Sequence, residues 1–165
     1  MANTSVLING SARGDGNTKM ICKYVSQISS APIFDLNDFN IGYYTYDHSN
    51  SSDDFFPLME KIITFDTLVF ATPVYWYSMS AQMKTFLDRF TDLLKIKKDL
   101  GRQLRGKNMK VICCSSGEEE YPEFWKPFER SAEYLGMQYL GHSHTWIEPD
   151  EIPLEVKNRL KDLFG

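Results

Sequence analysis

Short apolar runs alternate with amphipathic segments along the whole chain. The apolar runs are rich in β-branched and aromatic residues, which is typical of strands. One of them, DTLVFATPV, is continuous rather than alternating, as expected for a strand covered on both faces. The predicted strands cover residues 4–9, 32–37, 66–74, 109–116 and 137–147.

Between these runs the apolar residues recur at helical spacing. Thr18, Ile21, Cys22 and Val25 predict a first helix over residues 17–29. Ser80 is expected to cap a helix over 81–94, because a serine hydroxyl can accept from a free N–H of the first turn. Three more helices are predicted, over residues 55–65, 121–136 and 152–165. Asp53 and Asp54 open the first of these, and Gly136 closes the second. The polar segment 37–54 and the basic segment 95–107 are predicted connectors.

The order of elements is therefore a strand followed by a helix, five times over. Strict alternation of this kind favours an α/β fold with a parallel sheet, helices on both faces and right-handed crossovers. No internal repeat, low-complexity tract or linker interrupts the pattern, and 165 residues suit one domain. We expect a single domain over residues 1–165.

Composition narrows the function classes. The net charge of −4 is spread along the chain, which argues against a nucleic-acid surface. No run approaches the roughly 18 apolar residues that a membrane helix needs, and the first ten residues lack a signal-peptide pattern. An odd count of three cysteines suits a reducing cytoplasm better than a disulfide scaffold.

The stretch INGSARGDGNTK, residues 8–19, links the first strand to the first helix and has the features of an anion site. Its glycines permit close backbone approach, Arg13 adds a full charge, and the helix N-terminus attracts phosphate. Its short polar side chains are those of Ser11, Asn17 and Thr18. The alternative is a plain glycine turn without a ligand.

Several phosphate chemistries do not fit this loop. Gly16 is followed by Asn17, so the lysine of a P-loop is missing, and the third glycine of a dinucleotide fingerprint is missing as well. The loop holds no cysteine nucleophile, and Asn9 stands where a receiver domain has a carboxylate. A monophosphate that is bound rather than cleaved fits best.

Two more predicted strands end in unusual sequence. Ligands of open parallel sheets bind beyond the carboxyl ends of the strands, so these segments should meet the first loop. An aromatic ring system could lie against the first of them, although such a segment can also be core or an oligomer contact. The segments are Pro73, Val74, Tyr75, Trp76, Tyr77, Ser78 after the third strand, and Ser115, Ser116, Gly117 after the fourth.

With these segments the chain resembles the flavodoxin-like NAD(P)H-dependent FMN reductases, including relatives of the iron-sulfur flavoproteins that lack the cluster. The resemblance covers essentially the whole chain. It is carried by GSARGDGNT as a phosphate loop and by ATPVYWYSMSAQMKTFLDR as a flavin loop and helix, with SSGEEE as a weaker third match.

The resemblance implies FMN as the bound cofactor. Ser11, Arg13, Asn17 and Thr18 then hold the phosphate. Ser115 and Gly117 are implied to lie on the far side of the flavin. The residues implied to line the flavin are Pro73, Val74, Tyr75, Trp76 and Ser78.

The resemblance also implies a three-layer sandwich whose five parallel strands follow the order 2-1-3-4-5, and a homodimer or homotetramer. The iron-sulfur flavoproteins carry a cysteine cluster in the segment that is here FNIGYYTYDHSNSSDDF. This segment contains no cysteine, which excludes an iron-sulfur centre.

The function implied is an oxidoreductase that takes hydride from NAD(P)H and passes electrons to a small acceptor such as free flavin, a quinone or a similar aromatic. The alternative is a non-enzymatic electron carrier or a flavin-dependent interaction module. Because the chemistry belongs to the flavin, no side chain is identified as catalytic.

Other polar residues receive a structural interpretation. His142 and His144 share one strand face but lack a third ligand nearby, so no metal site is expected. Asp88 and Arg89 are expected to form a structural pair.

Overall fold

In the computed structural model, which describes residues 4–149 and 151–165, five parallel strands form one twisted layer. Their order is β2-β1-β3-β5-β6. This is the predicted order 2-1-3-4-5, because the short extra strand β4 raises the numbers of the last two strands by one. The strands are β1 Ser5–Asn9, β2 Ile33–Asp35, β3 Thr67–Tyr75, β4 Ser78–Met79, β5 Asn108–Cys114 and β6 Gln138–Thr145.

Strand β4 corrects the prediction of five strands. It turns back on β3 in an antiparallel hairpin, with Tyr75 opposite Ser78 and Val74 opposite Met79. The two residues of the turn, Trp76 and Tyr77, both have positive φ angles, of 51° and 62°. Such turns normally use Asn-Gly, so the sequence gives no indication of this hairpin.

The helices cover both faces of the sheet. They are α1 Asn17–Ser29, α2 Phe55–Ile62, α3 Ala81–Asp88, α4 Phe90–Lys95, α5 Lys98–Arg102, α6 Lys126–Leu135 and α7 Leu154–Phe164. Short 3-10 turns occur at Leu36–Asp38 and Pro122–Trp125. Among the described residues, no helix is both long and apolar enough to cross a membrane.

Two apolar clusters sandwich the sheet. On one face, Ile21 and Val25 of α1 pack with Val156 and Leu160 of α7 against the strands. On the other face, α2, α3, α4 and α6 supply a cluster rich in phenylalanine, including Phe55, Phe86, Phe90 and Phe128. The three layers of the α/β sandwich thus follow from strands that are apolar on both sides.

Helix boundaries agree with the prediction at several ends and differ at others. Helix α1 has the predicted bounds, Ser80 caps α3 by accepting from the N–H of Met83 at 3.1 Å, and Gly136 ends α6 with a φ of 70°. The predicted helix over 81–94 is instead divided at Arg89 into α3 and α4. The predicted connector 95–107 contains the short helix α5.

The division at Arg89 accompanies a buried polar cluster. The Arg89 side chain is fully buried and bonds Asp53 and Asp92, with Asp92 Oδ1 also 2.6 Å from His48 Nδ1. Asp88, the expected partner of Arg89, bonds Lys84 instead. Arg89 therefore ties the polar loop before α2 to the α3–α4 junction.

Candidate functional site

A cavity of about 300 Å³ opens at the carboxyl ends of β1, β3 and β5. This is the edge of the sheet at which an open α/β fold binds its ligands. Eight of the predicted site residues line it: Ser11, Arg13, Asn17, Thr18, Pro73, Val74, Tyr75 and Ser115. Gly16 and Ser116, which belong to the predicted loops, also line it, as do Cys114 and Tyr121, which were not predicted.

The first loop is held from beneath by a buried asparagine. Asn9 Nδ2 donates to Asp35 Oδ2 at 2.9 Å, and Asn9 Oδ1 accepts from the backbone N–H of Ser11 at 3.3 Å. Because β1 and β2 are in register at Asn9 and Asp35, the bond joins the ends of two neighbouring strands. The loop therefore leaves the sheet from a fixed point.

Asp35 collects several donors at this point. Lys19 Nζ lies 2.9 Å from its Oδ2, and Asn37 donates from both its backbone and its side chain. Burial acts to raise the pKa of Asp35, but the bonds from Lys19, Asn37 and Asn9 outweigh it and lower that pKa. Asn37 also donates to the carbonyl of Ser11 at 2.7 Å, so the charged cluster orients the loop.

The start of α1 faces the cavity without a side-chain cap. Gly16 occupies the N-cap position and offers no side-chain acceptor to the first turn. Asn17 and Thr18 begin the helix and both line the cavity, and Arg13 adds a guanidinium to the same wall. Uncapped N–H groups at the positive end of a helix, together with an arginine, make a site for a phosphate group.

The first loop and the hairpin are fastened to each other. The Ser80 hydroxyl donates to the carbonyl of Gly10, and the Ser80 N–H donates to Thr72 Oγ1 at 3.0 Å. At Gly10 a Cβ would lie 2.9 Å from Met83 Cβ, which is closer than side chains approach. Glycine is therefore required where β1 passes α3.

The hairpin carries most of the aromatic surface near the cavity. Pro73, Val74 and Tyr75 line the wall, whereas Trp76 and Ser78 do not. Trp76 is 94% exposed at the tip of the turn. The positive φ angles of Trp76 and Tyr77 are strained for such residues, and strain of this kind clusters at functional sites.

The third segment closes the opposite side. Ser115 and Ser116 line the cavity, and Gly117 lies just outside it. Tyr121 follows, and its ring contacts that of Tyr77 edge-on at 5.6 Å. Tyr121 was not predicted, because it lies at the start of a segment whose spacing indicates only a helix.

Few side chains of the site can exchange protons near neutral pH. Burial raises the pKa of the Cys114 thiol to about 11, so this cysteine is a neutral thiol. Among the described residues, no group of three or more His, Cys, Asp or Glu side chains is placed to hold a metal ion. The arrangement can bind an anion and a flat ring, and its chemistry must come from the bound group.

Comparison with known proteins identifies the protein family. The family model described as NADPH-dependent FMN reductase matches residues 4–148. The chain belongs to the NADPH-dependent FMN reductase family. It is accordingly an oxidoreductase whose cofactor is FMN and whose hydride donor is NAD(P)H.

One curated relative agrees with this assignment, and two solved structures share the fold. YwqN of Bacillus subtilis, named as an NAD(P)H-dependent FMN-containing oxidoreductase, is 27% identical over 151 residues, which are 82% of this chain and 81% of the relative. The Trp repressor binding protein from Bacillus subtilis superposes with a TM-score of 0.76 at 24% identity, covering 98% of this chain and 96% of that chain. An FMN-dependent NADH-azoreductase from Bacillus anthracis, solved with FMN, gives a TM-score of 0.66 at 15% identity, covering 98% and 96%.

The structural similarities support the flavodoxin-like fold of this FMN reductase. Within this chain, the order of the five parallel strands and the helices on both faces agree with the prediction. The prediction of the family from the loop after β1 and the hairpin segment is confirmed.

Proposed function

We propose that this FMN reductase holds FMN in the cavity at the ends of β1, β3 and β5 and transfers electrons from NAD(P)H to a small planar acceptor. The observation that carries the proposal is the joining of an uncapped helix N-terminus and an aromatic hairpin in one cavity of about 300 Å³. One end of the cavity suits a phosphate, and the other suits a ring system.

The phosphate end consists of the loop after β1 and the start of α1. Ser11, Arg13, Asn17 and Thr18 would hold the FMN phosphate there, through short side chains, free backbone N–H groups and the guanidinium. Thr18 is buried at the base of the site, and Arg13 is exposed at its rim, where it adds a positive charge. We expect Arg13 to contribute charge and the helix start to contribute geometry.

The ring end consists of the hairpin and the turn after β5. Pro73, Val74 and Tyr75 would line one side of the ring, with Ser115 and the backbone beside it on the other. Trp76, Ser78 and Gly117 stay predicted ring neighbours, although they do not line the cavity wall. Their contact with the ring would come from the hairpin tip and the turn at the rim.

When bound, FMN supplies the ring that takes up hydride and passes the electrons on. The protein would bind and orient this ring. Because the ring would supply the chemistry, no side chain is proposed as catalytic. Tyr77 and Tyr121 stand at the open rim, where a flat nicotinamide or acceptor would enter.

We propose free flavin, a quinone or a similar aromatic as the acceptor class, since Tyr75, Tyr77 and Tyr121 make the ring end of the cavity aromatic. We place the protein in the cytoplasm, where its three buried, free cysteines would stay reduced.

A homodimer or homotetramer would cover the exposed Trp76. One domain over 1–165 stays our prediction.

Anaerobic titration of the FMN-loaded protein with NADPH and with NADH, followed by absorbance, tests this function. We expect the yellow colour to bleach with at least one of them and to return when a simple quinone is added. Bleaching by dithionite but by neither nicotinamide would instead indicate the electron carrier. A colourless protein that takes up no FMN would contradict the cavity assignment.

A further inference from the structure

A histidine on the edge strand touches the wall of the cofactor cavity from behind. His144 lies near the end of β6, is 3% exposed, and places its Nε2 2.7 Å from the hydroxyl of Ser115. Ser115 lines the cofactor cavity, and His144 lines a second cavity of about 480 Å³ between the β6 edge and α7. The hydrogen-bonded pair therefore forms part of the partition between two cavities.

The hydrogen bonds of Ser115 determine the direction of this contact. Ser115 Oγ lies 2.8 Å from the carbonyl oxygen of Gly117, which can only accept, so the hydroxyl hydrogen points there. Ser115 Oγ must then accept from His144, and the imidazole carries its proton on Nε2. The other ring nitrogen, Nδ1, is buried and has no hydrogen-bond partner among the described residues.

The surroundings keep this imidazole neutral. Burial lowers the pKa of His144, Arg159 lowers it further, and Glu120 acts in the opposite direction. Glu120 and Arg159 face it as an ion pair at 2.6 Å, and the Tyr121 ring lies edge-on at 6.1 Å. On β5 the residue in register is Cys113, a buried thiol whose pKa burial raises above its ordinary range.

We propose that His144 is a positioning residue of the cofactor site, which donates from Nε2 to fix the Ser115 hydroxyl on Gly117 and so holds the turn 115–117. The proposal rests on the proposed function in one respect, namely that this cavity holds FMN. The Ser115 hydroxyl donates to the Gly117 carbonyl of the same turn. The turn therefore meets the cofactor through the backbone and Ser116, which also lines the cavity.

Two substitutions of His144 distinguish the effect of its hydrogen-bond donor from the effect of a side chain that only fills the same space. In His144→Gln the side-chain amide can replace the Nε2 donor, whereas His144→Leu removes it. His142→Leu is the matched control, because His142 lies on the same strand but contacts Tyr139 and stacks on Trp125 at 4.0 Å instead. For FMN binding by fluorescence quenching, we expect His144→Leu to weaken affinity by about 2- to 12-fold, the range for one neutral hydrogen bond. His144→Gln and His142→Leu should stay within about twofold of wild type on the same scale.

The pH dependence distinguishes donation by His144 Nε2 from acceptance by it. Because Nε2 carries hydrogen in both the neutral and the protonated imidazole, the ratio of FMN affinities of wild type and His144→Gln should be constant from about pH 8 to 5.5. Nitrogen NMR of the ligand-free protein should show the Nε2–H tautomer.

Either of two results overturns the proposal. One is an Nδ1–H tautomer together with an FMN affinity of the wild type that falls relative to that of His144→Gln on acidification. The other is an unchanged FMN affinity in His144→Leu. If His144→Leu does not fold, the His144→Gln ratio and the tautomer still decide. A failure of the proposed function shows separately, as FMN that binds with this order of affinities but is not reduced by NAD(P)H.

Discussion

The Ser80 hydroxyl donates to the carbonyl oxygen of Gly10, and this bond joins the hairpin to the loop after β1. Ser80 Oγ also accepts from the Met83 N–H, so one side chain both caps α3 and fastens two walls of the proposed cofactor cavity. The proposed phosphate end and ring end are therefore held at a fixed separation by a residue that lines neither.

Ser80→Ala should lower both stability and cofactor affinity. It removes a helix cap and leaves the buried Gly10 carbonyl without its donor, so we expect a loss of about 1–3 kcal/mol in the free energy of unfolding. Urea unfolding measures this loss, and FMN titration measures the affinity. Ser52→Ala, at an exposed site, is the control and should match wild type. An unchanged unfolding midpoint in Ser80→Ala would show that the bond contributes nothing.

Two glycines of the first loop should respond differently to the same change. In Gly10→Ala the new Cβ would lie 2.9 Å from Met83 Cβ, and we expect a destabilisation of about 1–3 kcal/mol from overpacking. Gly14 has nothing within 4 Å of a built Cβ, so Gly14→Ala should change stability by less than about 0.5 kcal/mol. Thermal unfolding of the pair checks this. Equal melting temperatures would mean that the close approach of β1 to α3 is wrong.

The sequence predicted the elements that follow from local periodicity. Helix α1, Asn17–Ser29, has the predicted ends because its apolar stripe begins directly after the glycine loop and runs to the last turn. Eight of eleven predicted site residues line one cavity, since strand ends of a parallel sheet meet at one edge.

The rest depends on contacts between distant residues. The Trp76–Tyr77 turn has no turn-forming composition. The division of the helical stripe at Arg89 accompanies a buried ion pair with the distant Asp53. The pairing of His144 with Ser115 joins β6 to the turn after β5, and the sequence indicated only a histidine on a strand face. Such tertiary partners leave no local pattern.

Arg13→Ala should weaken FMN binding by about 1–2 kcal/mol, because it removes a charge-assisted contact at an exposed rim. Lys23→Ala makes the same change of charge on an exposed position of α1 and should leave affinity unchanged. Isothermal titration with FMN compares the two. Equal losses in both variants would indicate general electrostatic attraction rather than a phosphate contact.

Stability should fall in acid through Asp35. Its pKa lies below the ordinary value of 3.8, so its contribution is present above that pH and is lost as the pH falls through the lower value. Asp35→Asn should be less stable at neutral pH and should lose less on acidification. Urea unfolding between about pH 7 and 3 measures both slopes. Parallel slopes would contradict the lowered pKa.

The most direct measurement of the central claim compares FMN with riboflavin on the ligand-free protein. The two differ only in the phosphate that the loop after β1 and the start of α1 should hold, so we predict FMN to bind at least about 100-fold more tightly, as two or more charge-assisted hydrogen bonds imply. Equal affinity for the two flavins, or no binding of FMN, would contradict the account.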